Sequence, residues 1–196
     1  MYFHSVHGKN IQLSPDNSEA KRTSGFCQGI TFSNNPMTQF ERVTFQVAYQ
    51  PLAQHQKLNQ LSSNYIFNNN KSYFKRSNKK NPWTGNLRIG LTTKNPVTLT
   101  SSDLPNFSYP VLMNTDFYWI TVIKSSYLRA GNKLSLVLDK NNSLQLSVNY
   151  VVKATLFGGT NVIPATPSTK LWLILDVYGN TNVVKFLPSG KILKQF

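Results

Sequence analysis

Apolar residues recur at every second position along most of the chain. In the segment 41–49 the apolar members of this alternation are Val43, Phe45, Val47 and Tyr49. A spacing of two places successive side chains on opposite faces of a β-strand, so one face is predicted to be buried. The same spacing recurs in the segments 87–91, 134–138 and 144–148. The intervening sequence Asp-Lys-Asn-Asn at 139–142 is typical of a turn, which makes the last two segments a predicted hairpin.

Three further segments complete the predicted set of strands. Residues 151–157 follow the hairpin closely enough to form a third antiparallel strand, and residues 183–187 form the last strand. The segment 171–175 (LWLIL) is a continuous apolar run and is predicted to be a strand buried on both faces. No convincing amphipathic helix is present. Many short strands separated by Gly, Pro and Asn predict an antiparallel sandwich or barrel. The residues expected in its core include Leu136, Leu146, Trp172 and Ile174.

One segment, 51–82, interrupts this pattern with runs of Gln, Asn, Ser and Lys. It is predicted to be a long mobile loop outside the fold. Its stretch 71–80 (KSYFKRSNKK) places basic residues beside two aromatic ones, which suits an anionic lipid surface or single-stranded nucleic acid. The alternative is a solvated loop that keeps the protein soluble. The candidate residues for binding an anionic surface are Lys71, Lys75, Arg76, Lys79 and Lys80.

The overall charge is strongly positive. The chain has 196 residues, with 21 Lys and Arg against 7 Asp and Glu, a formal net charge of +14. Such a chain is attracted to nucleic acid, an anionic membrane surface or an acidic protein. The N-terminal residues have no secretory signal, and no apolar run approaches the roughly 20 residues of a membrane span. A cytoplasmic protein is therefore expected, with a peripheral position at membranes as an alternative.

No catalytic, metal or cofactor site is predicted. The single cysteine, Cys27, excludes an internal disulfide framework and a cysteine-rich zinc module. His4 and His7 are too few for a zinc site, which needs three or four convergent ligands. The seven carboxylates form no close pair for acid–base catalysis, and no phosphate-binding glycine loop follows a strand. An enzyme is therefore disfavoured, and no cofactor is expected.

Four ordered motifs resemble the Neuralized homology repeat, or NHR, domain. The first is an opening motif made of FHSVHGKN at 3–10, AKR at 20–22 and GITFS at 29–33, and the second is WTGNLRIGLT at 83–92. The third is LP at 104–105 with PVL at 110–112, and the closing motif is LW at 171–172 with DVYGNT at 176–181. The resemblance covers one domain, residues 1–188, with the segment 51–82 as an insertion and residues 189–196 as a C-terminal tail.

The resemblance implies an antiparallel β-sandwich similar to SPRY-type domains. It also implies a substrate-recognition adaptor that binds peptide segments of partner proteins, notably cytoplasmic tails of Notch ligands, in ubiquitin-linked signalling or trafficking. In that family a separate RING domain carries the ligase activity, and one cysteine cannot build a RING. A ubiquitin ligase partner is therefore implied. Some NHR domains bind phosphoinositides. The net charge of +14 and the basic stretch 71–80 give the alternative function, an electrostatic binder of anionic membrane lipids or nucleic acid through a basic surface. Nucleic acid is the disfavoured partner.

Two polar loops, residues 33–36 and 178–181, are the candidate peptide-binding surface. Asparagine side chains offer both a donor and an acceptor to an extended peptide, and arginine adds charge-assisted bonds to an acidic one. These loops are expected to gather at one end of the sandwich. The alternative is that each residue shapes a turn or pairs with a carboxylate. Asp176 is expected to accept backbone N–H bonds at its own turn. The candidate peptide-binding residues are Asn34, Asn35, Asn180, Tyr178, Arg22 and Arg88.

Overall fold

A computed structural model describes residues 1–48, 87–141, 143–157, 163, 169–179 and 181–188. The chain divides into two compact units, residues 1–49 with 85–196, and residues 50–84. The predicted insertion at 51–82 and the tail at 189–196 both lie outside the described residues. The following description concerns the first unit.

The described residues form twelve β-strands and four short 3-10 helices, with no α-helix among them. The 3-10 helices cover Pro96–Thr98, Ser101–Asp103, Leu112–Asn114 and Ser125–Tyr127. The strands are β1 Phe3–His7, β2 Ile11–Leu13, β3 Glu19–Arg22, β4 Ile30–Ser33, β5 Arg42–Ala48, β6 Leu87–Thr92, β7 Tyr118–Val122, β8 Lys133–Leu138, β9 Leu144–Val148, β10 Val151–Phe157, β11 Trp172–Val177 and β12 Val183–Phe186.

These strands form two antiparallel sheets packed face to face. The five-stranded sheet has the order β1-β4-β11-β6-β7, and the seven-stranded sheet has the order β10-β9-β8-β5-β12-β3-β2. One hydrophobic cluster takes side chains from the inner faces of both sheets, among them Val43 and Leu136 from one and Leu91 and Leu173 from the other. The predicted β-sandwich is therefore confirmed.

The alternating pattern predicts the burial of β5, β8 and β9 well. Val43, Phe45 and Val47 are at most 1% exposed, and Leu136 and Leu146 are fully buried. The hairpin between β8 and β9 is also confirmed, because the carboxylate of Asp139 accepts hydrogen bonds of 2.8 Å from the backbone N–H groups of two turn residues, Asn141 and Ser143. The segment 151–157 adds to β9 as predicted.

The five-stranded sheet is buried on its outer face as well as its inner one. A second cluster on the outer face contains Ile30, Phe32, Ile120 and Ile174, and Leu104 covers them from the loop after β6. This second layer explains why the apolar run at 171–175 is continuous, because a strand covered on both faces needs no polar side. All six residues of β11 are buried, including Trp172 and Ile174, as predicted.

The second cluster on the outer face also explains why the prediction for β6 was wrong. Its alternation of Leu87, Ile89 and Leu91 with Arg88 and Gly90 predicted a half-exposed strand, but all six residues of β6 are buried. The strand lies between β11 and β7, and the loop after it covers its outer face. Arg88 therefore lies inside the protein with only 1% of its surface exposed.

Candidate functional site

The two predicted binding loops lie at opposite ends of β11. Residues Asp176 and Ile174 are opposite Ile30 and Phe32 of β4, so the chain after β4 reaches the level of Trp172. Tyr178 comes six positions after Trp172, which corresponds to about 20 Å along an extended strand. The expectation that these loops gather at one end is therefore wrong, because antiparallel pairing sends the two strand ends apart. We call the two places the Asn34 end and the Tyr178 end.

At the Asn34 end, Asn34 fastens the start of the chain to β4. Its side-chain oxygen accepts a hydrogen bond of 3.2 Å from the backbone N–H of Tyr2, and its own N–H donates to the carbonyl of Tyr2 at 2.9 Å. Asn35 is exposed, and its carbonyl accepts a bond of 2.7 Å from the Ser33 hydroxyl. Asn34 thus has a structural role, while Asn35 offers its amide at the surface.

Two open surface pockets of about 390 Å³ each lie at this end of the sandwich, near the loop of Asn34 and Asn35. Both are lined by Tyr2 and Asp16, and one of them also by Asn34. Asp16 is tied into its own turn, since its Oδ1 accepts from the hydroxyl groups of Ser14 and Ser18 and from the N–H of Ser18. These bonds lower the pKa of Asp16 from 3.8 to about 2.

At the Tyr178 end, Arg22 reaches from the inner face of β3 to the turn that follows β11. Its Nε donates to the carbonyl of Val177 at 2.8 Å, and its Nη2 donates to the carbonyl of Gly179. Arg22 is only 1% exposed. Burial lowers the pKa of its guanidinium, and the nearby Asp176 carboxylate opposes that effect. Arg22 therefore shapes a turn, which was the alternative role considered from the sequence.

The side chain of Arg88 also lies at the Tyr178 end, on the outer face of the five-stranded sheet. It lies directly opposite Asp176 in the register of β6 and β11, and its Nη1 is 2.9 Å from the Asp176 carboxylate oxygen. The same oxygen accepts bonds of 2.9 Å and 2.7 Å from the backbone N–H and hydroxyl of Ser108. The prediction for Asp176 is thus corrected. It accepts a backbone N–H from a residue 68 positions away rather than from its own turn, and it forms an ion pair with Arg88.

Three aromatic rings surround these two arginines. The ring of Tyr178 lies 6.1 Å from that of Phe26 and 5.8 Å from that of Phe107, measured between centroids. The guanidinium carbon of Arg88 is 3.9 Å from the centre of the Tyr178 ring, and that of Arg22 is 5.2 Å from the centre of the Phe26 ring. Phe26 is 45% exposed, so the cluster reaches the surface. We call Arg22, Phe26, Arg88, Phe107, Asp176 and Tyr178 the arginine–aromatic cluster.

A close backbone contact holds the loop of Phe26 against β11. A Cβ atom on Gly29 would lie 2.4 Å from the carbonyl oxygen of Val177, so only glycine fits there. The preceding Gln28 has a φ of +55°, and its N–H donates to the carbonyl of Asn106 at 2.8 Å. Three segments distant in sequence therefore converge, namely the loops before β4, after β6 and after β11.

The remaining candidate residues have local roles or lie outside the described residues. The Nδ1 of His4 accepts a bond of 3.0 Å from the N–H of Val6, and the Nδ1 of His7 donates to the Gly8 carbonyl at 2.9 Å. Within the described residues no group of three or more potential metal ligands occurs. Asn180 and the basic stretch 71–80 are not among the described residues. Sequence patterns missed Phe26 and Phe107, because both lie in loops that have no periodicity.

The Neuralized family model matches residues 3–58 and 54–188 of this chain. The chain belongs to the Neuralized family. It is 29% identical over 189 residues to "Protein neuralized" of Drosophila melanogaster, and the match covers 96% of this chain and 20% of that protein. It is 26% identical to the E3 ubiquitin-protein ligase NEURL1B of Homo sapiens, covering 96% of this chain and 28% of the relative. The chain thus spans between a fifth and a third of the length of these Neuralized relatives.

Solved structures agree with the family. The crystal structure of the Drosophila melanogaster neuralized-nhr1 domain matches with a TM-score of 0.72 and 29% identity, covering 96% of this chain and 98% of that one. The SPRY domain of human HERC1 matches with a TM-score of 0.51 at 11% identity, covering 94% and 96%. This second likeness concerns the fold alone. The predicted NHR domain with a SPRY-like sandwich is confirmed.

Proposed function

We propose that this NHR domain is a substrate-recognition module that binds peptide segments of partner proteins in a ubiquitin-linked pathway. Its relatives in the Neuralized family include proteins named E3 ubiquitin-protein ligases, and the match to a single NHR domain extends over nearly the whole chain. In this proposal the NHR domain selects the target and a ubiquitin ligase partner modifies it. The target is the cytoplasmic tail of a membrane protein or another cytoplasmic segment.

The observation that carries this proposal is the arginine–aromatic cluster. Aromatic and arginine side chains dominate the binding energy of protein interfaces, particularly when they are held rigidly. Here Tyr178 is fixed between two other rings and an ion-paired guanidinium, while Phe26 presents almost half of its surface to solvent. A Tyr178 ring held in this way loses little entropy when a peptide packs on it.

The experiment compares proteins captured from cell extract by the immobilised chain and by two single variants. Phe26→Ala removes the exposed ring of the cluster, whereas Val152→Ala truncates a 63% exposed residue on β10 and serves as the control. We expect at least one captured protein that is lost with Phe26→Ala and kept with Val152→Ala. Overlapping peptides of about 15 residues from that protein should then include one that competes for binding. Identical capture by all three chains, or no competing peptide, would contradict the proposal.

The net charge of +14 supports a second candidate function, which is binding to anionic lipid surfaces. In the sequence between Asp116 and Asp176 the one acidic residue is Asp139, so this part of the chain has little negative charge to repel an anionic surface. Among the described residues no helix is long and apolar enough to cross a membrane. Sedimentation with vesicles of phosphatidylcholine and phosphatidylserine tests this function. Binding should fall steeply as salt rises from about 0.05 to 0.5 M, since exposed charges are screened. Binding that ignores salt would argue against it.

A further inference from the structure

The arginine–aromatic cluster contains more buried positive charge than negative. Arg22 and Arg88 are each 1% exposed, and Asp176 is 0% exposed. Asp176 is paired with Arg88, while the hydrogen bonds of Arg22 described above go to the neutral carbonyls of Val177 and Gly179. Two buried guanidinium groups thus share one carboxylate, which forms its ion pair with Arg88, and a second anion would be stabilised beside Arg22.

Three buried polar atoms of the same cluster also lack a hydrogen bond to any described residue. They are the Nη1 of Arg22, the Nε of Arg88 and the Oδ1 of Asp176. About nine in ten or more of the buried polar groups in proteins have a partner, so three such atoms in one cluster are unusual. The Nη1 of Arg22 is a charged donor, which prefers an anionic acceptor. Burial also lowers the pKa of Arg22, as expected for a cation without full compensation.

An exposed aromatic residue covers this guanidinium. The ring of Phe26 lies over Arg22 at 5.2 Å, and the four residues 23–26 are all exposed. Gly25 within this loop has a φ of +53°, and no atom lies closer than 3.6 Å to a Cβ placed on it. Phe26 lies outside every strand, so uncovering Arg22 by a displacement of this ring requires no change in strand pairing.

We propose that the arginine–aromatic cluster is a carboxylate subsite, in which an acidic group of the bound peptide pairs with Arg22 as the Phe26 ring moves aside. The apolar part of the peptide packs on Phe26 and Tyr178. This inference rests on the proposed peptide-binding function and names the chemical class of its ligand. The carboxylate comes either from an Asp or Glu side chain or from a peptide C-terminus. Arg88 is already paired with Asp176, so Arg22 supplies the contact.

The test measures the binding of three N-acetylated tripeptides to the full chain. Acetyl-Gly-Asp-Gly-amide presents a side-chain carboxylate, acetyl-Gly-Gly-Gly presents a C-terminal carboxylate, and acetyl-Gly-Asn-Gly-amide is the neutral match of the first. Nuclear magnetic resonance follows the Nε–H signal of Arg22 and the ring signals of Phe26. We expect at least one carboxylate probe to shift both signals and to bind about tenfold more tightly than the neutral probe. The carboxylate probe that binds more tightly shows whether the subsite prefers a side-chain carboxylate or a peptide C-terminus. Equal binding of all three probes would overturn the proposal.

Three variants separate this subsite from general attraction to a basic protein. Arg22→Gln should abolish the preference for the carboxylate probe. Lys133→Gln removes a charge on β8, three strands away from β3, and should leave the preference unchanged. Because Arg22 also holds the turn after β11, Phe26→Ala provides a second test that keeps its hydrogen bonds. It uncovers the guanidinium and should keep or enlarge the Arg22 response.

The outcomes that contradict the subsite differ from those that contradict the proposed function. An equal loss of preference in Lys133→Gln and Arg22→Gln, or loss of the Arg22 response in Phe26→Ala, would overturn the subsite. If captured proteins still depend on Phe26 while no probe distinguishes carboxylate from amide, the recognition function stands and the carboxylate subsite fails.

Discussion

At the scale of single residues, the most informative side chains are charged groups inside the sandwich. Arg22 occupies a position where alternation along β3 directs it inward beside Ala20, and Arg88 occupies an outward position that the loop after β6 covers. Arginine suits both positions, because its planar group stacks on aromatic rings while its N–H groups bond in fixed directions. Lysine could not make the same set of contacts.

The ion pair of Arg88 with Asp176 should be needed for stability. Arg88→Met leaves a buried carboxylate without its partner and should lower the free energy of unfolding by about 3–5 kcal/mol. Denaturant unfolding measures this loss, and Lys124→Met, an exposed change, should alter it by less than about 0.5 kcal/mol. Adding Asp176→Leu to Arg88→Met should recover part of the loss. A double variant less stable than Arg88→Met would show that the carboxylate is held mainly by Ser108.

Asp16 should contribute a pH-dependent part of the stability at the Asn34 end. Its pKa is about 2 in the folded protein against 3.8 ordinarily, because Ser14 and Ser18 bond the ionised form. The lowered pKa means that its contribution is complete above about pH 5 and is lost as the pH falls from about 4 to 2. Over that range the stability advantage of the protein over Asp16→Asn should shrink. Ser14→Ala should reduce this pH dependence. An advantage that stays constant down to about pH 2 would contradict the prediction.

At the scale of elements, the central strands of the five-stranded sheet are covered on both faces. The inner face joins the core between the sheets, and the outer face carries both the second hydrophobic cluster and the pair of Arg88 with Asp176. The loop after β6 forms this outer layer, and it also supplies Phe107 and Ser108 to the site. The same loop therefore completes the fold and builds part of the candidate binding surface.

Gly90 of β6 should not tolerate a larger residue. A Cβ atom there would lie 2.3 Å from the carbonyl oxygen of Trp119 and 2.8 Å from a side-chain carbon of Ile120, both on β7. Gly90→Ala should therefore destabilise the protein by about 1–3 kcal/mol through overpacking between two strands. Thermal and denaturant unfolding measure the effect. A loss below about 0.5 kcal/mol would show that β7 moves away easily.

At the scale of the whole molecule, the sandwich has two different ends. The Tyr178 end carries the arginine–aromatic cluster, and the Asn34 end carries Asn35 and the surface pockets beside Tyr2 and Asp16. The described strands on either side of the segment 49–86 both meet the Tyr178 end, since Ala48 lies opposite Val183 and Leu87 lies opposite Val177. The last described residue before this segment and the first described residue after it therefore both lie at the end that we propose for binding.

Residues 52–80 should be dispensable for folding. Their composition offers too little apolar surface to offset the entropy of ordering, and closing a long loop costs little more than closing a short one. A chain in which a short Gly-Ser linker replaces these residues should melt cooperatively near the temperature of the parent. Loss of cooperative melting would show that the apolar cluster Tyr65, Ile66 and Phe67 packs on the sandwich.

Sequence patterns and motifs were enough to locate seven of the twelve described strands, to name four buried core residues and to identify the family. Alternation with period two depends only on neighbouring residues, so local patterns alone were enough to locate β5, β8, β9 and β10. The family motifs likewise identified a SPRY-like sandwich. The sequence also singled out Arg22 and Arg88 for charge-assisted bonds to an acidic ligand, and Tyr178 as part of a polar loop.

The arrangement of these residues depends on the tertiary fold. The contacts of Arg88 with Asp176 and of Arg22 with Val177 join residues 88 and 155 positions apart, and no local pattern encodes such pairings. The separation of Asn34 from Tyr178 follows from the antiparallel pairing of β4 with β11, which the sequence does not specify. The burial of Arg88 follows from a loop that covers its strand. These features depend on which strands become neighbours, and that choice is made by packing of the whole core.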